Sequence, residues 1–212
     1  MKEYIIKICG LTDKEQAVSI GKMGATHIGM IYFEKSPRHI DIKKIAEISK
    51  AIRGLAKSVA VVVNPEKETV ENILQIVDIV QFHGDESIEF VSLFPKERVI
   101  KAFRVKGEQD IQKMKPFMEE GYTVLIDAYS EKSYGGTGKQ INPKLAKKIS
   151  DIYPKTVLSG GLSPDNIKEL LEYVKPYGVD ASSKLEIKPG VKDLNRVKKF
   201  IKMAREFYES DN

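Results

Sequence analysis

The feature that most constrains this chain is an alternation running its whole length. Short runs of β-branched and apolar residues are each followed by a stretch of helical periodicity, eight times over. The first run, Ile5 to Ile8, stops at Cys9 and Gly10, and Thr12 or Asp13 can accept from the first free amides of a helix over Asp13 to Met23. The later strands are expected at His27 to Phe33, Ser58 to Val63, Ile79 to His83, Arg98 to Phe103, Thr123 to Asp127, Thr156 to Leu158 and Gly178 to Ala181. The matching helices fall at Asp41 to Ile52, Lys67 to Ile76, Ser87 to Leu93, Glu108 to Glu119, Asn142 to Ile149, Pro164 to Val174 and Leu194 to Phe207.

Such alternation implies an α/β fold with a parallel sheet and crossover helices, and eight units in 212 residues imply a closed (β/α)8 TIM barrel. An open doubly wound sheet fits less well. No Gly-x-Gly-x-x-Gly turn follows the first strand, and polar residues recur at the carboxyl ends of many strands, as a barrel mouth requires. No linker or low-complexity segment interrupts the pattern, so residues 1–212 are expected to form a single domain.

Charge narrows the partner. Lysine and arginine, 35 in all, exceed the 30 aspartates and glutamates, but they are spread over nearly every helix. A small anionic substrate explains this better than nucleic acid. The single cysteine cannot form an internal disulfide, and no run approaches the length of a membrane span, so no membrane partner and a cytoplasmic location are expected. Nothing in the sequence fixes the oligomeric state; a homodimer is compatible with it.

In a barrel, alternate side chains enter the lumen and the active site forms at the carboxyl-terminal rim. A lone cysteine is more often a small buried hydrophobe than a reactive group, so Cys9 alone says little. If it points inward, so does Lys7 one layer below. That ammonium would need a carboxylate and would favour a Cys9 thiolate; otherwise Lys7 snorkels among the outer helices. Asp180 is a candidate partner for Lys7 or for Lys101. Asp127 closes the sixth strand, and the next helix begins too far away for it to be a cap. The intervening loop holds Gly135-Gly136-Thr137-Gly138-Lys139, without a complete P-loop pattern. Tyr129, Tyr134 and Phe33 either cover the barrel top or flank an aromatic ring.

Ser159-Gly160-Gly161 and Asp180-Ala181-Ser182-Ser183 end strands seven and eight, where barrels bind phosphate beside a short extra helix. Arg38, after strand two, is either a solvated loop residue or a fork for a carboxylate. Parity puts Gln81 and His83 in the lumen together, but no second histidine or cysteine has ligand spacing, so no metal is expected.

Taken in order, Lys7-Ile8-Cys9-Gly10-Leu11-Thr12, Ser36-Pro37-Arg38, Gln81-Phe82-His83-Gly84, Asp127, Gly135 to Gly138, Ser159 to Leu162, Asp180 to Ser183 and Pro189-Gly190-Val191-Lys192-Asp193 resemble the motifs of the phosphoribosylanthranilate isomerase family of tryptophan biosynthesis. The resemblance runs from the first strand to the last helix. It implies a cofactor-free Amadori rearrangement of a phosphoribosylated aromatic amine to a 1-deoxyribulose product. By motif, Asp127 would be the general acid that opens the furanose and Cys9 the base that takes the C2 proton. A protonated acid and a deprotonated thiol must coexist near neutral pH, and Lys7 is the group expected to favour the thiolate. Arg38 would hold the substrate carboxylate, and Gly160, Gly161, Ser182 and Ser183 the phosphate, with His83, Gly136 and Asp180 also lining the substrate site.

Two departures stand out. Lys184 occupies a position where the family usually has glycine, which implies strain if φ there is positive and, if it is not, an ammonium placed to add a phosphate contact. Lys139-Gln140-Ile141-Asn142 replaces an aromatic and acidic loop ending. Two other readings remain open. The related histidine-pathway isomerase normally carries aspartate where Cys9 stands and has a second phosphate loop in the first half of its barrel. The other reading is a non-catalytic barrel scaffold.

Overall fold

Eight parallel strands pair in chain order and close on themselves: β1 (Ile5–Cys9), β2 (His27–Ile31), β3 (Lys57–Val62), β4 (Ile79–Phe82), β5 (Val99–Val105), β6 (Thr123–Ala128), β7 (Thr156–Leu158) and β8 (Gly178–Ala181). Closure is made by β1 pairing with β8, in a register that sets Lys7 beside Asp180. The computed structural model describes residues 3–128 and 141–210. The glycine loop with Gly136, and with it Tyr129 and Tyr134, lies outside the described residues.

The helices outside the barrel are α1 (Lys14–Lys22), α2 (Ile42–Ala51), α3 (Lys67–Leu74), α4 (Ile88–Val91), α5 (Ile111–Glu119), α6 (Pro143–Ile152), α7 (Ile167–Val174) and α8 (Leu194–Ser210). Local chemistry starts several of them. Asp13 and Asp41 each accept from a backbone amide of the first turn at 2.8 Å, and Asn142 does the same for α6 with Pro143 in its first turn. Helical periodicity does the rest, as where Ile45, Ile48 and Ile52 of the α2 region are fully buried against the sheet.

Strand alternation divides the interior in two. One set of side chains packs between barrel and helices; the other, including Ile5, Val59, Ile79, Ile100, Ala102, Leu125 and Val157, fills the lumen as a separate cluster. Lys7 and Cys9 share the parity of Ile5, Gln81 and His83 that of Ile79, and Asp127 that of Leu125. The apolar layer thus floors the barrel, and the polar groups stand above it at the carboxyl-terminal rim.

Lys101 has the opposite parity to its lumen neighbours Ile100 and Ala102. It points outward, where its Nζ meets Glu86 Oε2 at 3.1 Å and the Gly84 carbonyl at 2.9 Å. Asp180 therefore belongs to Lys7 alone. The chain also contains an unexpected hairpin, β9 (Glu186–Lys188) and β10 (Val191–Lys192), preceded by a 3-10 turn over Ser183–Leu185. Lys184 lies in that turn without a positive φ, so it carries no backbone strain. At the other departure, Ile141 is buried and Asn142 caps α6.

Candidate active site

The described residues line a cavity of about 240 Å³ over the carboxyl ends of the strands, and its walls include Cys9, Arg38, Gln81, His83, Asp127, Gly160, Gly161, Asp180, Ser182 and Ser183. Apart from Lys7, which sits a layer lower, every described residue expected at the site from sequence reaches this one space. Cys9 ends β1 and Asp127 stands one residue before the end of β6, three steps around the ring. Both are 6% exposed.

Space for the thiol comes from β2. A Cβ on Gly29 would lie 2.7 Å from Cys9 Sγ, so no larger residue fits beside it. Below, Lys7 is fully buried with its Nζ 2.8 Å from Asp180 Oδ1, and Ser159 Oγ donates to Asp180 Oδ2 at 3.2 Å. Burial works to lower the lysine's pKa, but Asp180 and Cys9 together offset it and the ammonium is held above its ordinary range. The part Cys9 would add exists only when the thiol is ionised, so Asp180 is the constant partner.

The outcome for Cys9 reverses the expectation from sequence. Burial pushes its pKa up, Lys7 pulls it down, Asp180 pushes it up again, and the net direction is upward. The Lys7 ammonium is present but already neutralised, and its effect on the thiol does not overcome desolvation.

The acid side is built differently. Asp127 Oδ1 accepts from the Ala128 amide at 2.8 Å, and Oδ2 lies 3.6 Å from His83 Nε2, beyond hydrogen-bonding range. Gln81 Nε2 sits 3.1 Å from His83 Nδ1; the amide can only donate, so Nδ1 accepts and the ring proton belongs on Nε2. His83 Nε2 and Gln81 Oε1 are buried without a hydrogen-bond partner among the described residues. Gly160, at φ +94°, lets the β7 loop pass close to this carboxylate, since a Cβ there would meet Asp127 Oδ1 at 3.0 Å and the Ala128 amide nitrogen at 2.8 Å.

Across the mouth, Glu186 holds Arg38 through both oxygens: Nε lies 2.9 and 3.1 Å from Oε1 and Oε2, and Nη2 lies 2.6 Å from Oε2. Lys192 Nζ meets Oε1 of the same glutamate at 2.7 Å. Ser182 Oγ donates to the Cys9 carbonyl at 2.9 Å, so its hydroxyl serves the β1 rim rather than standing free for phosphate. Gly29 and Glu186 had no role assigned from sequence, and Ser159 and Lys192 entered only as members of the Ser159 to Leu162 and Pro189 to Asp193 motifs; a further signal was that Glu186 and Lys192 are charges flanking the turn Pro189-Gly190.

A closed parallel barrel with a buried thiol and carboxyl facing one rim cavity, a glycine pair after strand seven and a serine pair after strand eight, has the architecture of a (β/α)8 enzyme with its site at the carboxyl-terminal rim. Residues 6–203 match the family model "N-(5'phosphoribosyl)anthranilate (PRA) isomerase". The chain belongs to this isomerase family, which serves tryptophan biosynthesis. It is 56% identical over 201 residues to the N-(5'-phosphoribosyl)anthranilate isomerase of Sulfurihydrogenibium sp. strain YO3AOP1, covering 95% of this chain and 98% of that one. Among solved structures, the Thermotoga maritima isomerase superposes with a TM-score of 0.88 at 32% identity, covering 96% of this chain and 99% of that one. A phosphoribosyl anthranilate isomerase in complex with reduced 1-(o-carboxyphenylamino)-1-deoxyribulose 5-phosphate superposes at 0.84, with the same identity and coverage.

Proposed function

We propose that this chain converts N-(5-phosphoribosyl)anthranilate to its 1-deoxyribulose isomer with Asp127 as general acid and Cys9 as general base. The observation that carries the reading is that the thiol and the carboxyl that the family motifs assign to proton transfer line one cavity from different strands. Asp127 in its acid form protonates the furanose oxygen, the C1–O bond breaks, and the nitrogen lone pair forms the iminium. Cys9 as thiolate takes the C2 proton, its electrons form the enolamine, and tautomerisation gives the ketone. C1 is reduced as C2 is oxidised, so the balance needs no external oxidant, reductant or cofactor.

Several contacts support this. The unpartnered His83 Nε2 and Gln81 Oε1 are suited to the hydroxyls and ring oxygen of a sugar, because buried polar atoms persist unpaired where a ligand completes them. The amides of Gly160, Gly161 and Ser183 and the 3-10 turn after β8 suit a phosphate, with Asp180 and Lys7 beneath. Arg38 takes the substrate carboxylate. The raised thiol pKa makes the thiolate scarce but a stronger base, so turnover is expected to climb with pH.

The histidine-pathway alternative is disfavoured at the β3 and β4 loops. There the amides of Asn64 and Gly84, which could have faced a second phosphate, donate to the Glu86 carboxylate at 2.8 Å and 3.1 to 3.2 Å. We also infer one domain over residues 1–212 and a cytoplasmic enzyme; no described helix is long and apolar enough to cross a membrane. A Thermotoga maritima relative is described as dimeric, and a homodimer is our proposal here, to be checked by sedimentation. The deciding assay is loss of phosphoribosylanthranilate fluorescence with purified protein. Conversion supports the reading, and an unchanged substrate overturns it.

A further inference from the structure

Arg38 is no ordinary loop arginine. Its turn is fixed by Ser36, whose Oγ accepts the Arg38 amide at 3.1 Å, and its stem crosses Gly10, where a Cβ would lie 2.6 Å from Arg38 Cδ. The Arg38 side chain is only 8% exposed, and Glu186, whose side chain is 3% exposed, takes one whole edge of the guanidinium, the Nε–H and one Nη2 hydrogen. A guanidinium has five N–H donors on two forked edges. With the side edge taken, the end-on edge formed by Nη1 and the second hydrogen of Nη2 is the one a ligand in the cavity can use.

Glu186 is itself fixed. It and Lys192 are cross-strand partners in the hairpin, and Gly190 donates to its Oε1 at 3.3 Å. The hairpin is tied to the barrel by Thr12 Oγ1 donating to the Gly190 carbonyl at 2.8 Å and by Gln16, which bonds both the amide and the carbonyl of Lys192. Burial works to raise the Glu186 pKa, but Arg38 and Lys192 overcome it and keep the carboxylate ionised. The charges matter as much as the geometry. Arg38 and Glu186 alone would sum to zero and attract no anion; with Lys192, fully buried on the same carboxylate, two positive charges meet one negative and the sum is +1.

We propose that Glu186, neutralised and held by Lys192, is the positioning residue that aims the free edge of Arg38 and so sets selectivity for an aromatic amine bearing a carboxylate. The inference rests on the reading of Arg38 as the carboxylate clamp. Neither Glu186 nor Lys192 lines the cavity, so both act through Arg38.

The test compares two substrates, phosphoribosylanthranilate and the same aminoaldose built on aniline, which lacks the carboxylate. Glu186→Gln is expected to raise KM for the first about tenfold with kcat within about threefold, and to leave KM for the aniline compound unchanged. Glu186→Asp keeps the charge but withdraws it by one methylene, and a smaller KM rise with the same selectivity is expected. It carries the test if Glu186→Gln does not fold. Equal KM increases for both substrates would mean a merely structural role, and no increase for either would mean no role; each overturns the proposal. Arg38→Ala run alongside separates the two levels. If that variant does not discriminate between the substrates, the clamp reading fails; if it does while the Glu186 variants do not, only the positioning inference fails.

Discussion

The two sides of the rim are built on opposite principles. Around β1, β8 and the hairpin, every buried charge is paired: Lys7 with Asp180, and Arg38 and Lys192 with Glu186. Around β4 and β6, polar groups are left open. Among the described residues His83 Nε2 and Gln81 Oε1 are unpartnered, and Asp127 accepts on Oδ1 from its own neighbour's amide. Ion pairs fix positions at a desolvation cost that only good geometry repays, which suits a side that must hold anionic groups and a thiol in place. Unfilled hydrogen-bonding capacity suits a side that must deliver a proton and receive sugar oxygens. On the proposed mechanism each side thus carries one proton carrier, the thiol among fixed ion pairs and the carboxyl among open polar groups.

The sharpest way to break that contrast is to remove the reacting atom on each side. Cys9→Ala and Asp127→Asn should each lower kcat by about 10²- to 10⁴-fold with little change in KM, since both groups act mainly in the transition state. Single-turnover rates with fluorescent substrate check this, and a near-normal rate for either variant removes that residue from the mechanism.

Lys7→Met attacks the paired side. It leaves Asp180 buried without its cation, and breaking such a pair costs about 3–5 kcal/mol. The double variant with Asp180→Asn should recover much of that loss in a denaturant titration. The pair's own pH dependence follows from sign: Lys7 has a folded pKa above its unfolded one. Its stabilisation is therefore fully present below about 10.4 and lost only as pH rises through the folded value. The rate gives a second readout. Removing a cation from beside Cys9 destabilises the thiolate, so the rise of kcat/KM with pH should move to higher pH than in the parent. An unmoved profile would mean that Lys7 is structural only.

Between these lies Gly29→Ala. Its Cβ would meet Cys9 Sγ at 2.7 Å and Cys9 Cα at 3.0 Å, so strand or thiol must shift. A displacement of a few tenths of an ångström should cost about tenfold in kcat, with about 1–3 kcal/mol of stability lost to overpacking. Full activity would show that the thiol tolerates displacement and that its side of the rim is less rigid than its ion pairs imply.

The contrast also explains what could be read in advance. Strand parity was legible where one face is apolar and the other polar, as at Ile5, Lys7 and Cys9 or Leu125 and Asp127. It was not legible on β5, where Ile100 and Ala102 on one face and Val99 and Phe103 on the other are equally apolar, and there Lys101 turns out to face the helices. The partners of Arg38 were hidden for another reason. Hairpin strands of three and two residues carry no periodic signal, so nothing placed Glu186 and Lys192 on one carboxylate-centred cluster. The net direction of the thiol's pKa was not legible, because the pull of Lys7 is opposed by burial and by Asp180, and no sequence carries their relative weights.

The smallest effect belongs to His83, and it tests the open side. With Nδ1 engaged by Gln81, the ring presents Nε2–H toward Asp127 Oδ2 from 3.6 Å, one short movement from a hydrogen bond. If that N–H steadies the Asp127 carboxylate after it has given up its proton, His83→Gln, which retains an N–H donor, should lose less than His83→Leu. The latter should fall about tenfold in kcat, the value of one hydrogen bond to a charged group. Because Gln81 loses its partner in both variants, their difference isolates the donor. Equal rates in the two would assign His83 to packing and leave Asp127 as the sole proton carrier on that wall.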